Sequence, residues 1–277
     1  MNQGESLGSF FTKMKNIKTF KTQDGSIGLY NEELNEVYHS KFGAKKEAYE
    51  KFIAPALILN NRSLDILDIC YGIGYNTKCA IENFSNINSI DCIEIDNELV
   101  SKSYEFDYDE KINQIIKDNL QKSDFIHFYI EDARSAIKKI DKKYDIIFHD
   151  GFAPHKQSIL WSEEFIKLVA SKLKDNGIYC TYNHSKPVLN ALCKMGLFLG
   201  QTIVDNKIIG TVASFDKNLI KNPLISFELG KLNTKSAITY KDKDLNLSHE
   251  EIIKNRDNEV NNSKLQTLSG YLKTVVK

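Results

Sequence analysis

A glycine-rich turn at the end of an apolar segment is the feature of this 277-residue sequence that carries most chemistry. Residues 64–69 read as a short apolar strand and run into Gly72 and Gly74. The next apolar run ends at Glu94, and the Gly72-to-Glu94 separation of 22 positions is close to the roughly 20 residues between a glycine loop and a ribose-binding acid. The spacing predicts a nucleoside-containing cofactor near residue 72, although glycines also occur in ordinary strand turns.

The residues around the loop favour S-adenosylmethionine over a dinucleotide such as NAD. A dinucleotide loop has a third glycine that lets the helix pack closely on the strand, and Thr77 stands at that position. Tyr75 and Asn76 would crowd the helix N-terminus that a pyrophosphate needs. Asp68, just before the loop, is a poor neighbour for phosphate but suits the cationic amino end of S-adenosylmethionine.

Strand-like and helix-like segments alternate from residue 64 onward. The predicted strands are 64–69, 89–95, 125–130, 144–149, 177–182, 201–204 and 210–215, and the predicted helices are 77–83, 97–105, 133–140, 162–172 and 186–195. This alternation predicts an α/β fold with a mostly parallel seven-stranded sheet, covered on both faces, whose last two strands form an antiparallel edge. Upstream, residues 18–22 alternate like a strand and 43–59 have the spacing of a helix.

Ligands of open parallel sheets bind at the carboxyl ends of the strands, which draws attention to the residues after 144–149. Asp150 is predicted to face the reactive end of the cofactor, where it would orient an attacking amine and favour loss of its proton. Phe152 would form a wall of the pocket or stack on a base, and Pro154 would stiffen the loop. Asp150 could instead cap a helix or turn, and Phe152 could instead pack in the core.

Two further acidic positions follow predicted strands. Asp132 is placed to accept a hydrogen bond from an adenine amino group, and it could also be the N-cap of the helix that starts near Ala133. Asp96 competes with Glu94 for the ribose. We favour Glu94, because a strand-end side chain that points into the crevice is better fixed.

Other classes of protein fit the sequence poorly. The five cysteines lack C-x-x-C spacing and the six histidines lack ligand spacing, so no metal site is expected. No G-x-S-x-G elbow is present. No apolar run approaches the roughly 18 residues of a membrane span, and residues 1–18 lack a signal-peptide pattern. Scattered free thiols then favour a cytoplasmic location.

Several separated segments together resemble one family, the methyltransferase domain of the bacterial tRNA wobble-uridine enzyme MnmC. The matching segments are 22–26 with Leu29 and Tyr30, 38–40 with Gly43, Ala44 and Glu47, 68–76, 150–154 with Leu160 and Trp161, and 181–182. The resemblance covers about residues 18–215, and the tail from 239 to 259 is similar to stand-alone members. A generic methyltransferase would lack the first two segments.

The resemblance implies a Rossmann-like class I methyltransferase fold that uses S-adenosylmethionine, without FAD. The implied reaction is N-methylation of 5-aminomethyl-2-thiouridine at the tRNA wobble position to 5-methylaminomethyl-2-thiouridine. The catalytic residue would be Asp150, and the substrate contacts would be Phe152 and Pro154. The implied cofactor contacts are Tyr38, Ser40, Glu47, Asp68, Cys70, Gly72, Asn76, Glu94, Ile95, Asp132, Ala133 and Asp150.

Many members of the family carry a fused flavin-dependent oxidase domain, for which 277 residues leave no room. The chain is therefore expected to be monofunctional, with a separate enzyme supplying the aminomethyl-uridine. We predict an N-terminal extension (1–60) that packs on the cofactor site, a methyltransferase domain (61–216) and a C-terminal extension (217–277). The family motif has alanine where Gly151 stands and an apolar residue where His149 stands, which puts the conformation of this loop in question.

Two alternatives remain open at this level. A polyamine aminopropyltransferase would share the fold, but it needs paired acids in the loop where 150–154 supplies one. A non-catalytic RNA-binding protein on a methyltransferase fold would not need Glu94, Asp132 and Asp150 together. The sequence is neutral, with 37 basic and 37 acidic residues, and oligomeric state is not readable. Candidate tRNA contacts are Lys13, Lys15, Lys18, Lys21, Lys241, Lys243, Lys254 and Arg256, although lysine runs are often simply solvated surface.

Overall fold

The computed structural model describes residues 17–275 of the chain. The described residues divide into two compact units, one that ends at Ala136 and one that begins at Ile137. Two of the predicted tRNA contacts, Lys13 and Lys15, lie outside the described residues. None of the helices within 17–275 is long and apolar enough to cross a membrane.

A three-stranded antiparallel sheet opens the first unit. Its strands are β1 (Ile17–Lys21), β2 (Ile27–Asn31) and β3 (Glu36–Val37). Asp24 holds the turn between β1 and β2 by accepting hydrogen bonds from the Thr22 hydroxyl (2.7 Å) and the Ser26 hydroxyl (2.5 Å). Burial raises the pKa of Asp24, but these hydrogen bonds and one from the Lys46 amide outweigh burial and lower the pKa to about 2.

The region 43–59 is helical as predicted but is not one regular helix. It consists of α1 (Ala44–Ala48), a π-helical turn (Tyr49–Ile53), α2 (Ala54–Ala56) and a 3-10 turn (Leu57–Leu59). Pro55 has no amide hydrogen to donate to the preceding turn, and its ring crowds the carbonyl four residues earlier. The backbone widens before the proline, because a wider turn relieves that crowding.

Seven strands, β4 to β10, form the main sheet, which is mostly parallel with an antiparallel edge. The fold class predicted from the sequence is therefore confirmed. The first unit contributes β4 (Leu64–Ile69), β5 (Ile87–Glu94) and β6 (Ile126–Ile130), which are parallel in the order β6-β5-β4. Its register places Glu94 opposite Ile130 and Ile69 opposite Ile93, so the carboxyl ends of the three strands share one edge.

The helices of the first unit are α3 (Tyr75–Asn83), α4 (Asn97–Lys102), which continues into a 3-10 turn (Ser103–Glu105), and α5 (Glu110–Lys122). Helix α5 was not predicted. Its sequence signals were an Asp109 N-cap, which accepts hydrogen bonds from the next turn, and the buried pair Ile112 and Ile116 at helical spacing. Helix α6 (Ala133–Lys139) follows β6.

The second unit contributes β7 (Tyr144–His149), β8 (Leu173–Thr181), β9 (Phe198–Val204) and β10 (Lys207–Ser214), in the order β7-β8-β10-β9. Strands β7 and β8 are parallel, and β10 is antiparallel to both β8 and β9. The helices are α7 (Glu163–Ala170), α8 (Lys186–Lys194), α9 (Ser226–Lys231), α10 (His249–Asn262) and α11 (Leu268–Val275), and 3-10 turns span Ser158–Leu160, Lys217–Leu219 and Lys235–Ala237. A capping box of Ser248 and Glu251 begins α10.

A polar pair lies in the core of the second unit. His149 ends β7 and is fully buried, and its Nδ1 lies 2.5 Å from the hydroxyl of the equally buried Tyr179 on β8. The imidazole stacks on Trp161, with ring centres 4.2 Å apart and an interplanar angle of 8°. Burial lowers the pKa of His149 to about 3, so the ring is neutral in the folded protein at neutral pH.

Replacing both partners, His149→Phe and Tyr179→Phe, should make the protein less sensitive to acid. His149 takes up a proton more readily when unfolded, because its folded pKa lies below the ordinary value. The neutral His149 therefore makes its full contribution to the stability of the fold above about pH 6.5, and this contribution is lost as pH falls toward 3. The wild type should lose unfolding free energy relative to the double variant by up to about 1.4 kcal/mol per pH unit below 6.5.

Urea unfolding followed by the fluorescence of Trp161, the single tryptophan of the chain, measures this difference. A stability difference between the two proteins that stays constant with pH would show that His149 is not a neutral core residue.

Candidate active site

The glycine loop between β4 and α3 has a left-handed backbone at three positions. Cys70, Gly72 and Gly74 have φ values of +67°, +58° and +82°. A non-glycine residue rarely adopts such a value, so Cys70 marks a constrained turn. A Cβ added at Gly72 would meet only Tyr38 Cδ1 at 3.8 Å and the Cys70 carbonyl at 4.0 Å. Gly72 is buried, and its left-handed φ, rather than lack of space, is what favours glycine there.

The Glu94 carboxylate ties this loop to the end of β5. One oxygen accepts a hydrogen bond from the Gly72 amide (2.9 Å), and the other accepts from the amides of Ile95 (2.8 Å) and Asp96 (3.1 Å). Burial raises the pKa of Glu94, while these three amides act in the opposite direction. Glu94 is half-buried, and its remaining lone pairs can accept hydroxyl donors such as those of a ribose.

Asp96, the competing acid, has a structural task. Its Oδ1 is the N-cap of α4, where it accepts hydrogen bonds from the amides of Glu98 (2.8 Å) and Leu99 (3.3 Å). Its Oδ2 is buried and pairs with no polar atom of residues 17–275. The structure thus separates the two acids, with Glu94 at the loop and Asp96 at the start of the helix.

Asp68 is fully buried in β4 and accepts a hydrogen bond from the Thr77 hydroxyl at 2.7 Å. This bond fastens α3 to the strand across the glycine loop. Asn76, in the first turn of α3, is also buried. Asp68 therefore fixes the start of α3 beside the glycine loop, and Asn76 is buried at the same helix start. These structural positions were not evident from the sequence.

The N-terminal segment brings three more predicted residues to the same unit. The Tyr38 ring lies next to Gly72, and burial and the charge of Glu94 raise the pKa of its hydroxyl. The Ser40 amide donates to Glu47 Oε2 (2.7 Å), and Glu47 Oε1 pairs with the Lys51 ammonium (2.5 Å). Tyr38 thus lies at the glycine loop, and Ser40 and Glu47 are hydrogen-bonded to each other.

Asp132 follows β6 and behaves as a helix cap. Its carboxylate accepts hydrogen bonds from the Arg134 amide (2.7 Å) and from the Arg134 guanidinium (3.0 Å). The Asp132 carbonyl accepts hydrogen bonds from the amides of Ser135 and Ala136. Ala133, at the start of α6, is buried, and Ile95 is half-buried beyond Glu94. The capping alternative for Asp132 is therefore present, and it leaves room for one further hydrogen bond from an amino group.

In the second unit, the half-buried Asp150 is the first residue after β7. The loop beyond it is held by two side chains. The Phe152 amide donates to Gln157 Oε1 (3.0 Å), and the Phe152 carbonyl accepts from Trp161 Nε1 (2.6 Å). Phe152 is half-buried and Pro154 is buried. Gln157 was not predicted, because a glutamine in a loop carries no sequence signal of such a role.

The first-unit residues suit S-adenosylmethionine. The glycine loop has a left-handed backbone without a side chain at Gly72, and Glu94 presents an acceptor beside it. These are the two features that a nucleoside with free hydroxyl groups requires. Within residues 17–275, no three histidine, cysteine, aspartate or glutamate side chains are arranged to hold a metal ion.

Known proteins share this architecture. Residues 97–213 match a family described as S-adenosyl-L-methionine-dependent methyltransferase. An uncharacterized protein of Methanocaldococcus jannaschii is 32% identical, over 92% of this chain and 76% of its own length. The solved structure of MnmC2 from Aquifex aeolicus superimposes with a TM-score of 0.77 and 27% identity, covering 89% of this chain and 86% of that one.

More distant relatives match part of the chain. A tRNA 5-methylaminomethyl-2-thiouridine biosynthesis bifunctional protein MnmC, from Campylobacter hominis, is 24% identical over 63% of this chain and 29% of its own length. A polyamine aminopropyltransferase of Prochlorococcus marinus is 29% identical over 51% of this chain and 48% of its own length. The family match and the extended similarity to MnmC2 show that the chain belongs to the S-adenosyl-L-methionine-dependent methyltransferases and that its methyltransferase domain is of the MnmC type.

Proposed function

We propose that this enzyme methylates the primary amine of 5-aminomethyl-2-thiouridine at the wobble position of tRNA. The observation that carries the proposal is the hydrogen bond between the Gly72 amide and Glu94, because it places an acceptor beside the glycine loop, as a cofactor ribose requires. The choice of tRNA rests on the similarity to MnmC proteins. The proposed product is 5-methylaminomethyl-2-thiouridine.

The proposed cofactor contacts follow from the position of each residue and from the hydrogen-bonding groups that it still has available. Glu94 would accept the ribose hydroxyls, and the Gly72 backbone would lie against the cofactor. Tyr38, Cys70 and Ile95 would border the same space. Asp132 would receive the adenine amino group beside Ala133. Ser40, Glu47 and Asn76 would surround the amino-acid end of S-adenosylmethionine. Asp68 would influence that end indirectly, by holding the glycine loop in place.

The chemistry follows from one carboxylate near the acceptor amine. When bound, S-adenosylmethionine supplies an electrophilic methyl group on a sulfonium. Asp150 would accept a hydrogen bond from the neutral primary amine and align its lone pair for attack. The nitrogen gains the methyl group and positive charge, and Asp150 would stabilise that charge and assist loss of one proton. Alignment of two bound reactants would supply much of the rate.

Phe152 and Pro154 would contact the uridine. The Phe152 backbone is fixed by Gln157 and Trp161, so its ring starts from a defined position. A separate enzyme would supply the aminomethyl group, and a cytoplasmic location would give access to tRNA.

Two of the candidate tRNA contacts in the tail already have partners. Lys241 pairs with Glu259 (2.7 Å), and the Arg256 guanidinium donates to the Ile238 carbonyl (2.8 Å) while stacking over Tyr240. These bonds give Arg256 a structural task within the tail, and Lys18 pairs with Glu32, so Lys21, Lys243 and Lys254 are the better candidates for phosphate contacts.

Methyl transfer from labelled S-adenosylmethionine to tRNA that carries 5-aminomethyl-2-thiouridine tests the proposal. We expect the methylaminomethyl nucleoside on modified tRNA and no product on unmodified tRNA. Turnover of putrescine with decarboxylated cofactor, but not of tRNA, would instead support the aminopropyltransferase alternative. Failure to bind S-adenosylmethionine at all would support a non-catalytic RNA-binding protein.

Replacing Asp150 with asparagine should lower kcat by about 100-fold to 10,000-fold, because the amide cannot accept the amine proton. The dissociation constant for S-adenosylmethionine should change less than about threefold, since the ribose contacts are elsewhere. Calorimetry and single-turnover transfer measure the two quantities. Equal losses in binding and turnover would remove Asp150 from the chemical step.

Replacing Glu94 with glutamine should weaken S-adenosylmethionine binding by about 10-fold to 100-fold, the effect of losing a charged hydrogen-bond acceptor. Asp96→Asn is the matched control, since asparagine retains the Oδ1 acceptor that caps α4. The control should bind the cofactor with nearly unchanged affinity. The reverse pattern would assign the ribose to Asp96, and thermal melting of both variants shows whether either is unfolded.

A further inference from the structure

The loop that begins with Asp150 is compact and internally bonded. Besides the bonds of Phe152 to Gln157 and Trp161, the amides of Lys156 and Gln157 donate to the Ala153 carbonyl at 2.7 and 3.0 Å. The indole that holds Phe152 belongs to a fully buried residue, stacked on His149. The position of the loop therefore depends on what fixes its far end, between residues 157 and 164.

The far end is bonded to the first residue of α10. The Ser158 amide donates to His249 Nδ1 (3.1 Å), and the Ser158 hydroxyl lies 2.9 Å from the same nitrogen and donates to the His249 carbonyl at 3.2 Å. Ser158 is fully buried. Three hydrogen-bond contacts thus join Ser158 to a residue 91 positions later in the chain. They fix the position of the residue next to Gln157.

A second group of contacts joins the residues just before α10 to the start of α7. The Tyr240 carbonyl accepts from the Glu163 amide (2.8 Å), and the Thr239 hydroxyl donates to Glu163 Oε2 (2.6 Å). The Asp242 amide donates to Glu164 Oε2 (2.7 Å). Residues 239–249, which we call the C-terminal clamp, thus bind both sides of the segment 158–164.

We infer that the C-terminal clamp positions the loop of Asp150 for methyl transfer, and that His249 is its pH-sensitive contact. The inference assigns a task to the predicted C-terminal extension, and it rests on the proposed role of Asp150. His249 is a positioning residue, because it acts on Asp150 through Ser158, Gln157 and Phe152.

The chemistry of the contact makes it sensitive to protonation. Nδ1 accepts the Ser158 amide hydrogen, so it must carry no proton of its own. Burial lowers the pKa of His249, and nearby His155 lowers it as well. Glu250 and a backbone hydrogen bond with His155 act in the opposite direction. The contact is intact above the ordinary histidine pKa of about 6.5 and is lost as pH falls below it.

Three variants separate this task from simple folding. His249→Ala removes the acceptor, whereas His249→Gln retains an acceptor oxygen that does not titrate. Asn258→Ala, at an exposed position of the same helix, is the matched control. Each full-length protein is studied by amide exchange and by the fluorescence of Trp161, the single tryptophan.

At about pH 7.5, His249→Ala should lower the protection factors of amides in 152–161 by about tenfold and shift Trp161 emission, while the control matches the wild type. As pH is lowered from about 6.5 to about 4.5, the protection of the wild type should fall toward that of His249→Ala, whereas His249→Gln should keep its higher protection throughout. His149 does not confuse this readout, because its pKa of about 3 keeps it neutral throughout.

The enzymatic arm uses the modified tRNA. His249→Ala should lower kcat by about tenfold at about pH 7.5 and change the KM for S-adenosylmethionine less than twofold, since Asp150 rather than the cofactor contacts is displaced. The kcat of His249→Gln should be less dependent on pH than that of the wild type. If the wild type transfers no methyl group, the proposed function fails, while amide exchange still judges the clamp.

Unchanged protection of 152–161 in His249→Ala would overturn the inference. A His249→Gln profile that follows the wild type between about pH 4.5 and 7.5 would overturn it too, even if the alanine variant fails to fold.

Discussion

The Gly72 amide and the Glu94 carboxylate form the bond on which the first unit is organised. The bond joins the end of β5 to a loop that begins at the end of β4, so it fixes the carboxyl edge of two neighbouring strands. The left-handed backbone at Cys70 and Gly72 is what turns the amide toward the carboxylate. Asp68 and Thr77 then hold α3 against the same loop. A residue with a side chain at position 72 would be strained by this left-handed backbone.

Three acids of the first unit, Glu94, Asp96 and Asp24, accept hydrogen bonds from backbone amides. Glu94 accepts three, Asp96 caps α4 and Asp24 closes the β1–β2 turn. Backbone donors hold a carboxylate in one orientation without adding a mobile cation beside it. Asp132 differs, because the Arg134 guanidinium neutralises it. A cationic ligand would therefore meet more uncompensated negative charge near Glu94 than near Asp132.

The sequence predicted features that depend on neighbouring residues and missed those that depend on distant ones. Strands 64–69 and 144–149 are confirmed to the residue, because each is a short, largely apolar run that determines a strand locally. The glycine turn and the Glu94 spacing were equally readable. The sequence around Asp132 was compatible with both an adenine contact and a helix N-cap. The hydrogen bonds from Arg134 and Ser135 in the folded protein reveal the cap. The π-helical turn before Pro55 and the bond of Ser158 to His249 could not be predicted, since they depend on geometry or on residues far along the chain.

The 91 positions between Ser158 and His249 also order events during synthesis of the protein. At typical ribosome speeds, the loop of Asp150 emerges roughly 5 to 18 seconds before the helix that fixes its far end. Through that interval β7 has no completed loop beyond it, while the first unit, with its glycine turn and Glu94, is already made. A nascent chain would thus complete the Gly72–Glu94 bond of the first unit before the bonds of Ser158 to His249 can form.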